Sequence, residues 1–150
     1  MTMPDTHLSY AAEPPQKKSP ARYLPLVARI LMGLLFFVFG LNGFLNFIPP
    51  PKVMPEGALA FFIALVKTGY MIPLIKGTEV AVGALLLSNR FVPLALVLIA
   101  PNIVNIILFH AFLEPAGLPI AGFALVLELF LVWSYRKAYG PMFAARVTPA

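Results

Sequence analysis

Residues 69–90 read GYMIPLIKGTEVAVGALLLSNR, a mostly apolar stretch. A membrane-spanning helix needs about 20 such residues to cross a hydrocarbon core of about 30 Å. This stretch carries two ionisable residues, Lys76 and Glu79, in its middle. Because residues spaced i, i+3 share one face of a helix, the two side chains can pair. The stretch therefore predicts a transmembrane helix that holds a charge pair inside the bilayer.

The whole chain has the composition of a membrane protein. Of its 150 residues, 60% are hydrophobic and 11% are charged, whereas soluble domains average about 25% charged residues. The net charge is +5, and the basic residues fall mostly at the ends of apolar segments. That distribution is typical of membrane topology signals rather than of a nucleic-acid-binding surface. The predicted partner is membrane lipid and not nucleic acid.

Four apolar segments predict an all-α membrane protein, a four-transmembrane-helix bundle. We expect the spans at residues 23–47, 70–88, 91–113 and 118–138, within a membrane domain over residues 23–139. Residues 48–55 (IPPPKVMP) contain too much proline for a helix. Residues 57–68 are apolar but too short to cross the membrane. We therefore expect a short re-entrant or half helix before the second span. The alternative is one long helix kinked at residues 69–73.

Loop charge predicts the orientation of the chain. Residues 1–22 form a polar, proline-rich tail, and residues 140–150 form a short C-terminal tail. Basic residues lie beside both tails and at the Arg90 turn, whereas the Glu114 turn has neither lysine nor arginine. By the positive-inside rule, both termini are then cytoplasmic. The prediction is a multi-pass protein of the inner membrane with a flexible N-terminal cytoplasmic tail.

One face of the first span carries small residues. At 100° per residue, Arg29, Gly33, Gly40 and Gly43 lie within a stripe of roughly 80°. Small side chains allow helices to approach closely in lipid, so we expect this stripe to be a structural packing seam. Glycine seams in a chain of this size would also permit a homodimer.

Polar side chains at membrane depth are rare and mark functional sites. With a rise of about 1.5 Å per residue, Glu79 and Glu128 are placed near the midplane. We hypothesise that these two carboxyl groups exchange protons. The predicted ligand-binding side chains are Lys76, Asn102, Asn105 and His110. Of these, the two asparagines share a face of the third span and could hydrogen-bond the charge pair.

Each of these residues also has a purely structural interpretation. The Lys76–Glu79 pair could do no more than set helix register. Glu128 could be a neutral carboxyl group, or it could reach Arg29 or face Lys76 across the bundle. His110 could simply be an interface residue near the end of its span.

The sequence argues against several kinds of chemistry. It contains no cysteine, which excludes disulfides, cysteine-ligated iron–sulfur clusters, c-type haem and thiol reactions by this chain. It shows no zinc-ligand spacing and no nucleotide-binding motif, so no metal site is predicted. The two histidines, His7 and His110, are expected on opposite sides of the membrane, which argues against a bis-histidine haem.

Several stretches resemble one family of small bacterial membrane proteins. Residues 76–89 (KGTEVAVGALLLSN) and 101–110 (PNIVNIILFH) are the most similar, together with RILMG at 29–33, Phe39–Gly40, Arg90 and PLAL at 93–96. On these residues the chain is similar to the DoxX-like family over about residues 25–143. The resemblance implies a four-helix bundle that serves as a membrane subunit of a redox system.

Members of that family are linked to thiosulfate:quinone oxidoreduction and to membrane complexes that handle thiol and oxidative stress. The resemblance therefore implies quinone as the cofactor and a soluble or membrane redox protein as the partner. It carries over no catalytic residue set. Two other functions fit the residues: a non-catalytic assembly or binding subunit, and a small proton-coupled transporter. The second lacks the repeated halves with matching broken helices that many transporters have.

Overall fold

The described part of the chain is helical. The computed structural model describes residues 20–51 and 53–146, and it shows no strand within them. The α-helices are α1 (Leu24–Leu45), α2 (Glu56–Lys67), α3 (Met71–Leu87), α4 (Val92–Phe112) and α5 (Leu118–Ser134). Short 3-10 helices occupy Pro20–Tyr23, Pro115–Gly117 and Arg136–Phe143. The N-terminal tail predicted for residues 1–22 lies almost wholly outside the described residues.

Helices α1, α3, α4 and α5 form a four-helix bundle. Helix α1 packs against α3 and α5, and α4 packs against the same two helices, so α1 and α4 are diagonal to each other. Neighbouring helices run antiparallel, and α1 therefore begins at the same end of the bundle at which α5 ends. We call this the terminal end, and the opposite end, where α4 turns into α5, the distal end. The predicted fold class is confirmed.

The helices have the length and hydropathy of membrane spans. Within the described residues, α1, α4 and the segment Pro115–Ser134 are each long and apolar enough to cross a membrane. Helices α2 and α3 are long and apolar enough only if the bent pair forms one span. That makes three to four candidate spans. Helix α3 alone has 17 residues, which corresponds to about 26 Å at 1.5 Å per residue. The protein is therefore a multi-pass membrane protein.

The half-helix expected before the second span is α2. Its axis is bent by 92° from that of α3, so the alternative of one long kinked helix is not formed. The bend is made at Gly69, whose φ of +76° lies in the left-handed region. Thr68 supports it, because its hydroxyl donates to the carbonyl of Leu65 at 2.6 Å and accepts from the amide of Met71 at 3.0 Å.

The backbone at Gly69 provides a first prediction. We expect Gly69→Ala to destabilise the protein by about 1 kcal/mol, because an L residue with a Cβ is strained at positive φ. Asparagine tolerates this conformation better, so Gly69→Asn should lose less stability. Thermal unfolding in detergent would measure the difference. Equal stability of the alanine variant and the parent protein would contradict the strained turn.

The seam between α1 and α3 brings the two backbones together. A Cβ on Gly40 would lie 2.8 Å from the amide nitrogen of Val80, and one on Gly83 would lie 2.5 Å from that of Phe37. A Cβ on Gly33 would lie 3.0 Å from the Leu87 side chain. The stripe predicted on α1 thus faces α3, and α3 contributes a glycine of its own to the contact.

Arg29 closes this seam at the terminal end. Its side chain is buried, with 6% of the residue exposed. Its Nη1 donates to the carbonyl of Leu86 and, at 3.5 Å, to that of Leu87. The last carbonyls of a helix have no partner within the helix and carry partial negative charge. Arg29 therefore caps the C-terminus of α3, which accounts for a buried cation at this position.

Candidate functional site

The charge pair on α3 is formed. The Nζ atom of Lys76 lies 2.8 Å from Oε2 of Glu79. The Glu79 side chain is only 4% exposed and that of Lys76 is 27% exposed. Glu79 is thus the more deeply buried partner, and the Lys76 side chain is partly exposed. Since Glu79 accepts one of the three Lys76 hydrogens, the ammonium group retains donors for a ligand.

Two glycines of the seam make room for this pair. A Cβ on Gly40 would lie 2.9 Å from the Cβ of Glu79, and a Cβ on Gly43 would overlap the stem of the Lys76 side chain. The lysine stem therefore lies directly along the backbone of α1. The same stripe that packs the helices therefore also positions the ion pair.

A cavity of about 340 Å³ opens beside the pair in the distal half of the bundle. Its volume lies at the lower end of the range of about 300–1,000 Å³ typical of ligand pockets. All four bundle helices contribute to its wall. The apolar side chains lining it are Leu35, Phe36, Phe39, Ile106, Ile120, Ala121 and Ala124. The remaining lining residues are Lys76, Glu79, His110 and Gly117.

His110 is the polar residue on the α4 side of the cavity. Its Nδ1 lies 2.8 Å from the carbonyl oxygen of Glu114 and 2.9 Å from Oε2 of the same residue. That carboxylate oxygen also accepts from the amide of Gly117 at 3.2 Å. The imidazole packs against Gly117 so closely that a Cβ there would overlap the ring. Glu114 and Gly117 thus both restrict the orientation of the His110 ring.

Sequence reasoning missed Glu114 and the cavity wall. Glu114 was assigned only to a turn, although its spacing of i, i+4 from His110 would have indicated a contact. No site role was assigned to Phe36 or Phe39 from the sequence, and both line the cavity. That role depends on which side of α1 faces the bundle centre.

The two asparagines of α4 are not brought to the ion pair. Neither hydrogen-bonds to Lys76 or Glu79, and neither lines the cavity. Asn105 is exposed, whereas the Nδ2 atom of Asn102 is buried without a hydrogen-bond partner. The hydrogen bonds suggested by their shared helix face are therefore not formed.

Glu128 lies one helical turn beyond Ala124, outside the cavity. It is 5% exposed, and its Oε2 has no hydrogen-bond partner. No ion pair joins it to Arg29 or Lys76 in the part of the chain that the structure describes.

Tyr139 lies beyond the end of α5, and its ring is buried. Its hydroxyl donates to the carbonyl of Pro93 at 3.2 Å. Burial raises the pKa of Tyr139, and the neighbouring Glu128 carboxylate raises it further.

Comparisons with known proteins supply no relative. The chain matches no protein-family model, no curated protein and no solved structure. The resemblance to the DoxX-like family therefore stays a prediction.

Proposed function

We propose that this protein is a DoxX-like membrane subunit of a redox system and that it binds a quinone in the distal cavity. The observation that carries the proposal is the cavity itself, with apolar walls and polar groups at Lys76 and His110. A quinone is a flat apolar ring with a carbonyl acceptor at each of two opposite edges. Pockets for such ligands are largely apolar, with a few polar groups that orient the ligand.

The residues of the cavity have distinct roles in this proposal. Lys76 donates a hydrogen bond to one carbonyl group, and His110 binds the other. Glu79 holds the ammonium group in place and exchanges protons with the ligand. Glu128, one turn beyond the cavity wall, exchanges protons as the second carboxyl group. Because the chain has no cysteine, we assign the supply or removal of electrons to a partner redox protein.

The proposal includes a location and an orientation. Positively charged residues flank the termini and the Arg90 turn, so the terminal end of the bundle is cytoplasmic by the positive-inside rule. The distal cavity then lies in the outer half of the inner membrane. Accessibility of a cysteine introduced at Glu114 to a membrane-impermeant reagent would test this orientation.

The second candidate is an assembly subunit without chemistry. Helix α2 favours it, because Ala58 is its only buried residue among those described. Its apolar side chains Leu59, Phe62, Ile63 and Val66 are exposed. Lipid or a membrane partner could cover them. In that case the cavity would stay empty and a protein partner would accompany the chain.

Native mass spectrometry distinguishes the two candidates and is our second prediction. We expect protein released from its own membranes in mild detergent to carry one quinone-mass adduct per chain. Glu79→Gln should lose the adduct, whereas Glu128→Gln, which changes a buried carboxyl outside the cavity, should keep it. A protein partner without any small-molecule adduct would support the assembly subunit and contradict the quinone proposal.

Filling the cavity provides a variant that leaves the ion pair intact. Ala121 lines the cavity and is 1% exposed, so the side chain of Ala121→Leu would enter the space of the ligand. Gly122 is the matched control, because a Cβ there would meet no atom within 4 Å. We expect the quinone adduct to disappear in Ala121→Leu and to persist in Gly122→Leu. If both variants keep the adduct, the ligand binds elsewhere.

A further inference from the structure

The geometry around His110 points to a proton-dependent choice between ligands. We propose that His110, positioned by Glu114, makes the cavity prefer the carbonyl form of a quinone-type ligand at low pH and its hydroxyl form at high pH. This inference rests on the proposed function, since it concerns the ligand of the same cavity. It adds Glu114 as a positioning residue and names the property that His110 contributes.

The contacts of Nδ1 decide which nitrogen of His110 carries the proton. Both groups beside Nδ1, the carbonyl oxygen and the carboxylate of Glu114, are hydrogen-bond acceptors. A neutral imidazole has one N–H donor and one acceptor nitrogen. Its hydrogen therefore belongs on Nδ1, and Nε2 keeps a lone pair. The same logic assigns the tautomer of histidines held by carboxylates in metal sites.

The ring has little freedom to turn away from this arrangement. Gly117 contacts it on one side, and Phe109 lies edge-on with ring centroids 5.1 Å apart. Phe109 in turn packs on Phe61 of α2 at 5.6 Å. Since Nδ1 is occupied by Glu114 and His110 lines the cavity, Nε2 is the nitrogen left for a ligand.

The two protonation states of His110 then offer opposite chemistry at Nε2. In the neutral ring Nε2 accepts a hydrogen bond, which suits the hydroxyl group of a quinol. In the imidazolium form both nitrogens are donors, which suits the carbonyl group of a quinone. Lys76 is a donor only, so it cannot make this distinction.

Among the residues that the structure describes, few other charged groups face His110. Glu114 follows it on the same turn, and Lys76 and Glu79 face it from α3 across the cavity. The cavity-lining residues of α1 and α5 are apolar. Glu56, at the start of α2, is exposed and does not line the cavity. Glu114 is therefore the described acidic residue in direct contact with His110.

Binding of a short-chain benzoquinone and of its hydroquinone to the protein in nanodiscs tests the inference. Measured without oxygen between pH 5.5 and 8.5, the affinity for the quinone should fall about tenfold, because the neutral ring has no hydrogen on Nε2 to donate to the carbonyl group and that hydrogen bond is lost. The affinity for the hydroquinone should rise over the same range. This opposite pH dependence is our third prediction.

Variants separate titration from structure. His110→Gln should remove both pH dependences. Glu114→Gln should weaken the preference for the hydroquinone at high pH. The side-chain amide of glutamine can also donate a hydrogen bond to Nδ1, so the hydrogen of the neutral ring is no longer confined to Nδ1. Glu56→Gln, which changes an exposed carboxyl outside the cavity, should keep both dependences. If both ligands bind with the same pH dependence, the inference is overturned and the proposed function stands. If neither ligand binds at any pH, both are overturned.

A spectroscopic measurement needs no ligand at all. The chain has two histidines, so His7→Gln leaves His110 as the only one. Nitrogen NMR of this protein labelled at histidine should show a protonated Nδ1 and an unprotonated Nε2 at high pH. Glu114→Gln should mix the two tautomers. A proton on Nε2 in the neutral ring of the parent protein would overturn the inference.

Discussion

Gly83→Ala is expected to destabilise the bundle by about 3 kcal/mol or more, since overpacking typically costs about 1–3 kcal/mol and sometimes more. The new Cβ would lie 2.5 Å from the amide nitrogen of Phe37 and 2.7 Å from its Cα. These are backbone atoms, so no side-chain rotation relieves the overlap. Helices α1 and α3 would have to move apart along the seam that also positions the ion pair.

Gly77 is the matched control on the same helix. A Cβ there would meet nothing within 4 Å. Since alanine favours a helix over glycine by about 0.5–1 kcal/mol, Gly77→Ala should leave stability unchanged or raise it slightly. Reversible unfolding of both variants in mixed micelles would measure the difference. If Gly77→Ala and Gly83→Ala lose equal stability, the close approach of α1 and α3 is wrong.

Lys76→Met is expected to cost about 3–5 kcal/mol of unfolding free energy, because it leaves the carboxylate of Glu79 buried without a partner. The Glu79 side chain is only 4% exposed, and its hydrogen-bond partner is Lys76. Protonation of the carboxyl group would relieve part of this penalty. The loss of stability should therefore be smaller at low pH than at neutral pH.

The double variant Lys76→Met/Glu79→Leu separates stability from function. Replacing a buried ion pair by apolar residues is often neutral or stabilising, so the double variant should recover most of the stability lost in Lys76→Met. It should nevertheless bind no quinone. A double variant that folds and binds quinone as the parent protein does would show that the pair only sets helix register. Failure of the double variant to regain stability would show that the pair is required for packing.

Local patterns account for the features that were predicted correctly. The Lys76–Glu79 contact depends on a spacing of i, i+3 along one helix, which is set by helix geometry alone. The stripe of Gly33, Gly40 and Gly43 follows from the same periodicity. The identity of the helix that packs on this stripe does not follow from periodicity, because periodicity shows which residues share a face and not what that face contacts.

Contacts between helices account for what was missed. Depth placed Glu79 and Glu128 near the midplane, but depth leaves the rotation of each helix about its axis undetermined. Asn102 makes no hydrogen bond to the ion pair, and its Nδ2 is buried and unpaired. Arg29 donates hydrogen bonds to the carbonyls of Leu86 and Leu87. Every residue has a backbone carbonyl, so the amino-acid sequence does not indicate which carbonyl will accept such a bond.

The sequence by itself determined the membrane class, the helical segments and the charge pair, because hydropathy and helical spacing act over a few neighbouring residues. It left open whether the stretch before the second span is a half-helix, which the 92° bend between α2 and α3 decided. Only the tertiary structure decided that α1 packs its glycines on α3, that four helices enclose a cavity, and that His110 meets Lys76 and Glu79 around it. The reason is physical. A cavity is the space that packed helices leave unfilled, and it depends on how each helix is rotated and paired.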